Sequence, residues 1–421
     1  MKRSLLNGRR TALCAVAALV PVFGTTAGAQ RPLPVRSLGA IVAATAETVG
    51  SVNGIHETHD GRLLVNDGAR RQLLAFDPSL GRSTIVVDST VGTATSYGPR
   101  AGIFLPYRAD TTVLLETGTE VFLVISPEGR VARVMANPAA MYGPILEQSV
   151  NRNRGAPGAA GFDQQGRLVF RMLLPPGGTS PTRQNTAVSP PGRMDSVPIL
   201  RADPRAHTID TVAEIRMDPS PEPVPVDDSA PRPTGVGRGS ARGRFAIPVF
   251  PLRNSDDWTV TPDGSVAVIR AQDYHVDWVG TDGSRVADPK IAHDWRRLGD
   301  SDKVAIIDSL KRQSDSVYSA RGGSSANGFA PLYVKPSALP DYRPPFEAPA
   351  TVSDPDGNLW IRSTDEAVGG GPIYDVVNRL GVLIDRVRLP GATRLEGFGN
   401  GCVYISSREG AGIRIARARV R

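Results

Sequence analysis

The chain has 421 residues, a formal net charge of +7 and only 6% aromatic residues. Four of its basic groups, Lys2, Arg3, Arg9 and Arg10, precede Gln30 with no acid among them, which leaves +3 on the remainder. With no extended Lys/Arg run and few rings on which bases could stack, the footprint of a nucleic-acid binder is missing.

The first segment reads as an export signal. The basic groups lead into an apolar run from Thr11 to Phe23 that ends in Ala27-Gly28-Ala29, a small-x-small cleavage pattern. That run is about half of the ~20 residues needed to cross a bilayer, and no later stretch reaches that length. The expectation is a signal peptide over 1–29 and a secreted or periplasmic product without a transmembrane segment. Beyond it only Cys402 remains, which excludes an intramolecular disulfide or a cysteine-based metal cluster.

From Val49 onward one plan recurs: a polar-Gly turn, an apolar run of about five, a polar loop, a second apolar run and another Gly turn. It is seen in "THDGRLLVNDGARRQLLAFDPSLGRSTIVVD" from Thr58, "TTVLLETGTEVFLVISPEGRVARVM" from Thr111 and "DQQGRLVFRM" from Asp163. It returns in "TPDGSVAVIRAQDYHVDWVGTDGSRVAD" from Thr261, "DPDGNLWIRSTDEAVGGGPIYDVVNRLGVLIDRVRL" from Asp354 and "GNGCVYISSREGAGIRIARARV" from Gly399. These are strands punctuated by hairpin turns. Six units of three or four strands predict an all-β, six-bladed β-propeller over 30–421. The second strands, Leu63 to Val65, Val266 to Ile269 and Leu359 to Ile361, are apolar at every position, as sheets buried on both faces require.

On "DGRLLVND…LLAFDPSLG", "TPDGSVAVIR" and "DPDGNLWIR" the chain resembles secreted six-bladed propeller proteins related to the NHL-repeat and TolB-like groups. The resemblance implies the fold and leaves function open, because that superfamily holds lactonases, lyases and pure binding scaffolds.

Blade six runs out after three strands, near Arg394 to Phe398, Cys402 to Ser406 and Ile413 to Ala418. The stretch "LPVRSLGAIVAATAE", with Leu38, Ile41 and Val42, is expected to return as its outer strand and close the ring. Two insertions, 175–198 and 218–244, are rich in Pro, Gly, Ser and Arg and read as mobile loops. A third, about 288–320, carries Val304, Ile307 and Leu310 at helical spacing behind Asp300 to Asp302 and predicts a helix laid against the ring.

An up-and-down blade places its second-to-third loops and the links between blades on one face. There the sequence puts Asp67, Glu116, Asp273, Asp365 with Glu366, and Glu409, while Arg171, Arg270 and Arg362 end second strands. Asn53, Asp256 and Asp257 stand where the first strands of blades one and four begin. A ring of such groups suits a polyhydroxylated ligand or a divalent cation such as calcium, although no cofactor is required by any motif. His275 and Asp277 are expected to lie outside the ring, on the third strand of blade four. "HETH" at His56 and His59 has a strand spacing that sets two rings on opposite faces and is not the helical zinc-protease motif. There is no G-x-S-x-G elbow, and "GVGRGS" at 235 lacks a flanking strand and helix.

Two function classes follow: a monomeric exported scaffold binding a small molecule, glycan or protein at its loop face, and a metal-dependent hydrolase or lyase of the lactonase-like type. The arginines that end second strands, where a metal-binding propeller would use Asn or Asp, favour the first. Exported material is expected to begin at Gln30 on N-terminal sequencing; an intact Met1 in a membrane fraction would contradict the export signal.

Overall fold

The order of turns and apolar runs builds six blades, in five of which four antiparallel strands lie side by side in sequence. A computed structural model describes residues 33–420 apart from 91–95, 99–101, 109, 117–120, 137–158, 172–194, 204, 219–223, 226–244, 247, 321–331 and 366–369. The expected export segment, 1–29, lies outside the described residues.

Blade one comprises Ile55–Glu57, Leu63–Asp67, Gln72–Phe76 and Ser83–Val87, and blade two Ile103–Pro106, Thr112–Glu116, Val121–Ile125 and Val131–Ala136. Blade three comprises Gly161–Phe162, Leu168–Arg171, Asp195–Asp203 and Thr208–Met217, and blade four Asp257–Val260, Val266–Arg270, His275–Val279 and Arg285–Ala287. Blade five comprises Phe346–Ser353, Leu359–Ser363, Ile373–Val377 and Leu383–Arg388. Blade six comprises Thr393–Gly399, Cys402–Glu409 and Gly412–Arg419, with Ile41–Ala44 as its fourth strand. The chain is a six-bladed β-propeller.

Successive residues of a strand point to opposite faces, and here each face meets a different neighbour. In blade four, Val266 and Val268 pack toward blade three with Trp258 and Ile215, whereas Ala267 and Ile269 pack toward blade five with Phe346 and Ile361. In blade five, Leu359 and Ile361 face blade four and Trp360 faces blade six. The same division separates Leu63 and Val65 from Leu64 in blade one. Each pair of adjacent blades, including six and one, thus shares its own apolar core among the described residues, and the uninterrupted apolar runs are explained.

Ring closure follows the expected route and adds to it. Ile41 pairs with Ala418 and Ala44 with Ala416, and the Thr45 amide donates to the Ile415 carbonyl at 2.8 Å. Ile41 and Val42 are solvent-exposed, however; it is Leu38 and Ala43 that pack into the cores flanking blade six. Upstream, Arg36–Ser37 adds a short parallel strand to the outer edge of blade five, and the Arg36 side chain reaches both Asp385, at 2.7 Å, and the Val420 carbonyl, at 2.8 Å.

Parts of both expected insertions are paired as strands. Asp195–Pro198, placed in the first loop by composition, pair with Glu214–Met217 inside blade three; 175–194 lie outside the described residues. In the second, Val224–Pro225 and Phe245–Ala246 form a two-stranded ribbon, and 226–244 lie outside the described residues. The helix, α1, runs Asp300–Ala320. Its packed side is set by Lys303 and Ile307, both buried, and Val304 points to solvent. Lys303 turns inward because Asp341 waits for it at 2.7 Å.

Deletion of 33–45 removes both clasp strands. The melting temperature of the protein is expected to fall by many degrees, measured by thermal unfolding; unchanged melting would place ring closure elsewhere.

Candidate functional site

Inner strands have one edge on the propeller axis, and the six of them enclose a channel of about 2350 Å³. The channel reaches from the first-to-second turns at one end to the inter-blade links at the other.

At the tight-turn end the acids are consumed locally. In blade four the Asp263 carboxylate accepts from the Thr261 hydroxyl at 2.6 Å and the Ser265 amide at 3.1 Å, around Gly264 at φ +82°. Burial opposes its ionisation, but these bonds and Arg379 hold its pKa below the usual carboxylate range. Asp163 of blade three does the same for the amides of Gln165 and Arg167. Glu57, pointing at blade six, accepts from the Tyr404 hydroxyl and the Asn400 amide. Burial, together with the Glu57 charge, raises the Cys402 thiol to about 11, in keeping with a packed thiol.

His56 and His59 depart from the expectation of opposite faces. The strand ends at Glu57, so alternation no longer governs His59. Both rings reach one carboxylate on blade two: His56 Nε2 lies 2.9 Å from Asp110 Oδ1, and His59 Nδ1 lies 2.9 Å from Asp110 Oδ2. Sequence spacing missed this because the third member is 51 residues away.

The loop end differs. Phe346 pairs with Ser363, which brings Glu347 beside Arg362 at the channel wall. Glu347 reaches lumen water yet is enclosed by the walls; that desolvation raises its pKa, partly offset by hydrogen bonds from the backbone at Leu252 and Arg253 and by the charges of Arg253 and Arg362. Leu252 holds the left-handed conformation, φ 58°, a strained state for a branched residue that aims its backbone at this carboxylate. The Arg362 side chain is exposed to the lumen and makes no hydrogen bond or close ion pair among the described residues. Arg343, on the same wall, donates to the Thr364 carbonyl at 2.7 Å.

Of the eight residues expected at a binding mouth, Asn53, Arg362 and Asp365 line the channel. Asn53 accepts from the Ser51 hydroxyl at 2.8 Å, and Asp365 pairs with Arg386 at 2.5 Å. The other five stand elsewhere. Asp67 is fully buried and accepts from the amides of Gly50, at 2.7 Å, and Ser51, at 3.0 Å, fastening the chain that leads into blade one. Asp257 is also fully buried and accepts from the Ala350 and Thr351 amides, both at 2.8 Å, so it ties blade four to the inner strand of blade five. Asp256 ties blade four back to blade three through the Arg216 amide at 3.0 Å and to Arg270 at 2.7 Å. Arg171 is buried between blades; desolvation lowers it to about 10 and Asp257 opposes the shift. Asp273 sits on the rim, 2.8 Å from His275 Nδ1, and His275 Nε2 meets Asp277 at 3.2 Å. His275 and Asp277 do lie outside the channel lining, and Asp273 lies with them. The Glu116 side chain and Glu366 lie outside the described residues. Glu409 pairs with Arg414 in blade six.

Composition could not separate these roles. A loop aspartate reads alike whether it binds a ligand or caps backbone amides. Glu347 was missed because "PPFEAP" reads as an extended connection, although Phe346 in and Glu347 out is the alternation of a strand.

No family model matches the chain, and no curated protein matches it in sequence. Solved structures with similar backbones include a gluconolactonase from Xanthomonas campestris, 12% identical, with 92% of this chain and 99% of that chain covered and a TM-score of 0.37. Another is a calcium-binding protein, regucalcin, from Agrobacterium tumefaciens, 10% identical over 92% and 98% of the two chains, TM-score 0.37. A third is a PQQ-bound aldose sugar dehydrogenase from Streptomyces coelicolor, 13% identical over 92% and 99%, TM-score 0.39. Likeness at this level carries no chemistry across.

Asp257→Ala is expected to cost about 2–4 kcal/mol, because two buried amides lose their acceptor. Arg362→Ala is expected to stay within about 0.5 kcal/mol of the parent. Denaturant unfolding of the two variants checks the division between blade tie and lumen group; equal losses would erase it.

Proposed function

We propose that the protein is an exported binding scaffold that holds a small, hydroxyl-bearing anion at the loop end of its channel. The carrying observation is Arg362: a guanidinium facing the lumen, without a hydrogen bond among the described residues, next to a carboxylate of raised pKa. A planar five-donor cation in that setting is suited to bidentate recognition of a carboxylate or phosphate. Asn53 and Asp365 supply acceptors for hydroxyls on the same channel. Export rests on the leader pattern of residues 1–29.

The metal-dependent hydrolase reading needs several oxygen or nitrogen donors converging on one point. Among the described residues no three His, Cys, Asp or Glu side chains form such a group. The channel acids described above are engaged with backbone, hydroxyl, imidazole or arginine partners. The described carboxylates therefore do not gather into such a centre, and no reaction step is drawn through one.

The proposal has a signed pH dependence. Below the raised pKa of Glu347 its carboxyl is neutral and Arg362 is the dominant local charge. As pH rises through that value the mouth gains a negative charge, and anion affinity falls. Calorimetric titration with gluconate, citrate and inorganic phosphate is expected to find binding for at least one. Arg362→Ala is expected to weaken it about tenfold or more, and Glu347→Gln to flatten the pH profile. Failure of all three anions to bind, or binding indifferent to Arg362, would reject the reading.

A further inference from the structure

Next to the channel mouth a separate hollow of about 360 Å³ is lined by Trp295 and Tyr342, by Pro340 and Pro344, by Asn254 and Gln272, and by Asp341. Its wall is a short antiparallel ribbon. Arg297 bridges to Tyr342, the Leu298 amide donates to the Asp341 carbonyl at 2.8 Å, and the Arg343 amide donates to the Arg296 carbonyl at 2.9 Å. Alternation along this ribbon turns Trp295, Tyr342 and Pro344 to the hollow and Arg343 to the channel. Asp341 of the same ribbon is held by Lys303 of α1 at 2.7 Å.

The rings are fixed yet open. His293 packs edge-on against Trp295, with centroids 5.2 Å apart and planes at 89°, and Trp295 remains 38% exposed and Tyr342 50%. Asn254, Gln272 and Asp341 bring polar groups to the hollow, and the Arg216 guanidinium holds the Gln272 side chain from outside the lining. Two amides and a carboxylate around two exposed rings suit a ligand that carries hydroxyl groups.

We infer that this hollow is a carbohydrate subsite. A pyranose ring has an apolar C–H face, which lies on an aromatic plane, and a polar rim, which needs a few placed donors and acceptors. Two exposed rings bordered by two amides supply both, in a hollow within the usual range of about 300–1,000 Å³ for small-ligand sites. A proline-rich peptide would also use the aromatic rings, but prolines carry no N–H to donate to the Asp341 carboxylate at the rim. The inference does not depend on anion binding in the channel, and either can fail alone.

The four tryptophans make the test direct, because Trp258, Trp278 and Trp360 are buried and Trp295 is the one open to a quencher. Acrylamide quenching of the full chain is measured with cellohexaose, maltohexaose, chitohexaose and a decaproline peptide. At least one saccharide is expected to shield the accessible tryptophan. By calorimetry its affinity is expected to fall about tenfold or more in Trp295→Ala and in Tyr342→Ala, with melting unchanged, and to be unaltered in Arg362→Ala. The assignment is overturned if no saccharide shields the ring, if Trp295→Ala binds as tightly as the parent, or if only decaproline gives protection.

Discussion

Each sheet of this protein is buried on both faces, and the rest of the structure depends on that. A second strand such as Val266–Arg270 cannot alternate between apolar and polar residues, because its odd residues serve one interface and its even residues the next. No blade can bury its own apolar surface, so stability belongs to the ring. Trp258 and Trp360, among the largest fully buried side chains, are both wedged between blades. The inner strands are the exception. With one edge on the lumen they tolerate Glu347 or His56, and polar chemistry collects on the axis without weakening the interfaces.

Acidic residues follow the same division. Asp67, Asp256 and Asp257 sit in dry places and accept backbone amides, where a charge-assisted bond is worth more than a neutral one and a lost partner leaves a donor stranded. A more elaborate tie joins blades four and five: the buried Tyr274 hydroxyl donates to Asp375 at 2.9 Å, and Arg386 spans Asp375 and Asp365. Burial raises Asp375 and the arginine beside it opposes that shift. Glu347 is unlike these because its surroundings desolvate it without giving it a dedicated cation.

The fold was legible because its signals are local. Gly turns, runs of β-branched residues and the missing fourth strand of blade six can all be read within windows of thirty residues, and the returning N-terminal strand followed from an edge that needed cover. The site was not legible to the same degree. Asp257 and Glu347 both stand on inner strands, yet one faces an adjacent blade and the other the lumen, and only the register of the ladder separates them. The third and fourth strands of blade three were hidden by the proline-rich composition just upstream, and the inner strand of blade five by the prolines within it. Convergence such as His56 and His59 on Asp110 is a property of blade packing, invisible along the chain.

The clasp has a kinetic side. Thr45 and Ile415 exchange bonds across 370 residues, so a strand synthesised early finds its partner only when nearly everything between has been made. Contacts of such long sequence separation are slow to form, since the loop must close before the pairing rewards it. Until then blade six has an open edge and the cores on either side of it are incomplete. Folding of this ring therefore waits on contacts between its two ends, and the interval before closure is the period in which the molecule most needs protection from pairing with another copy of itself.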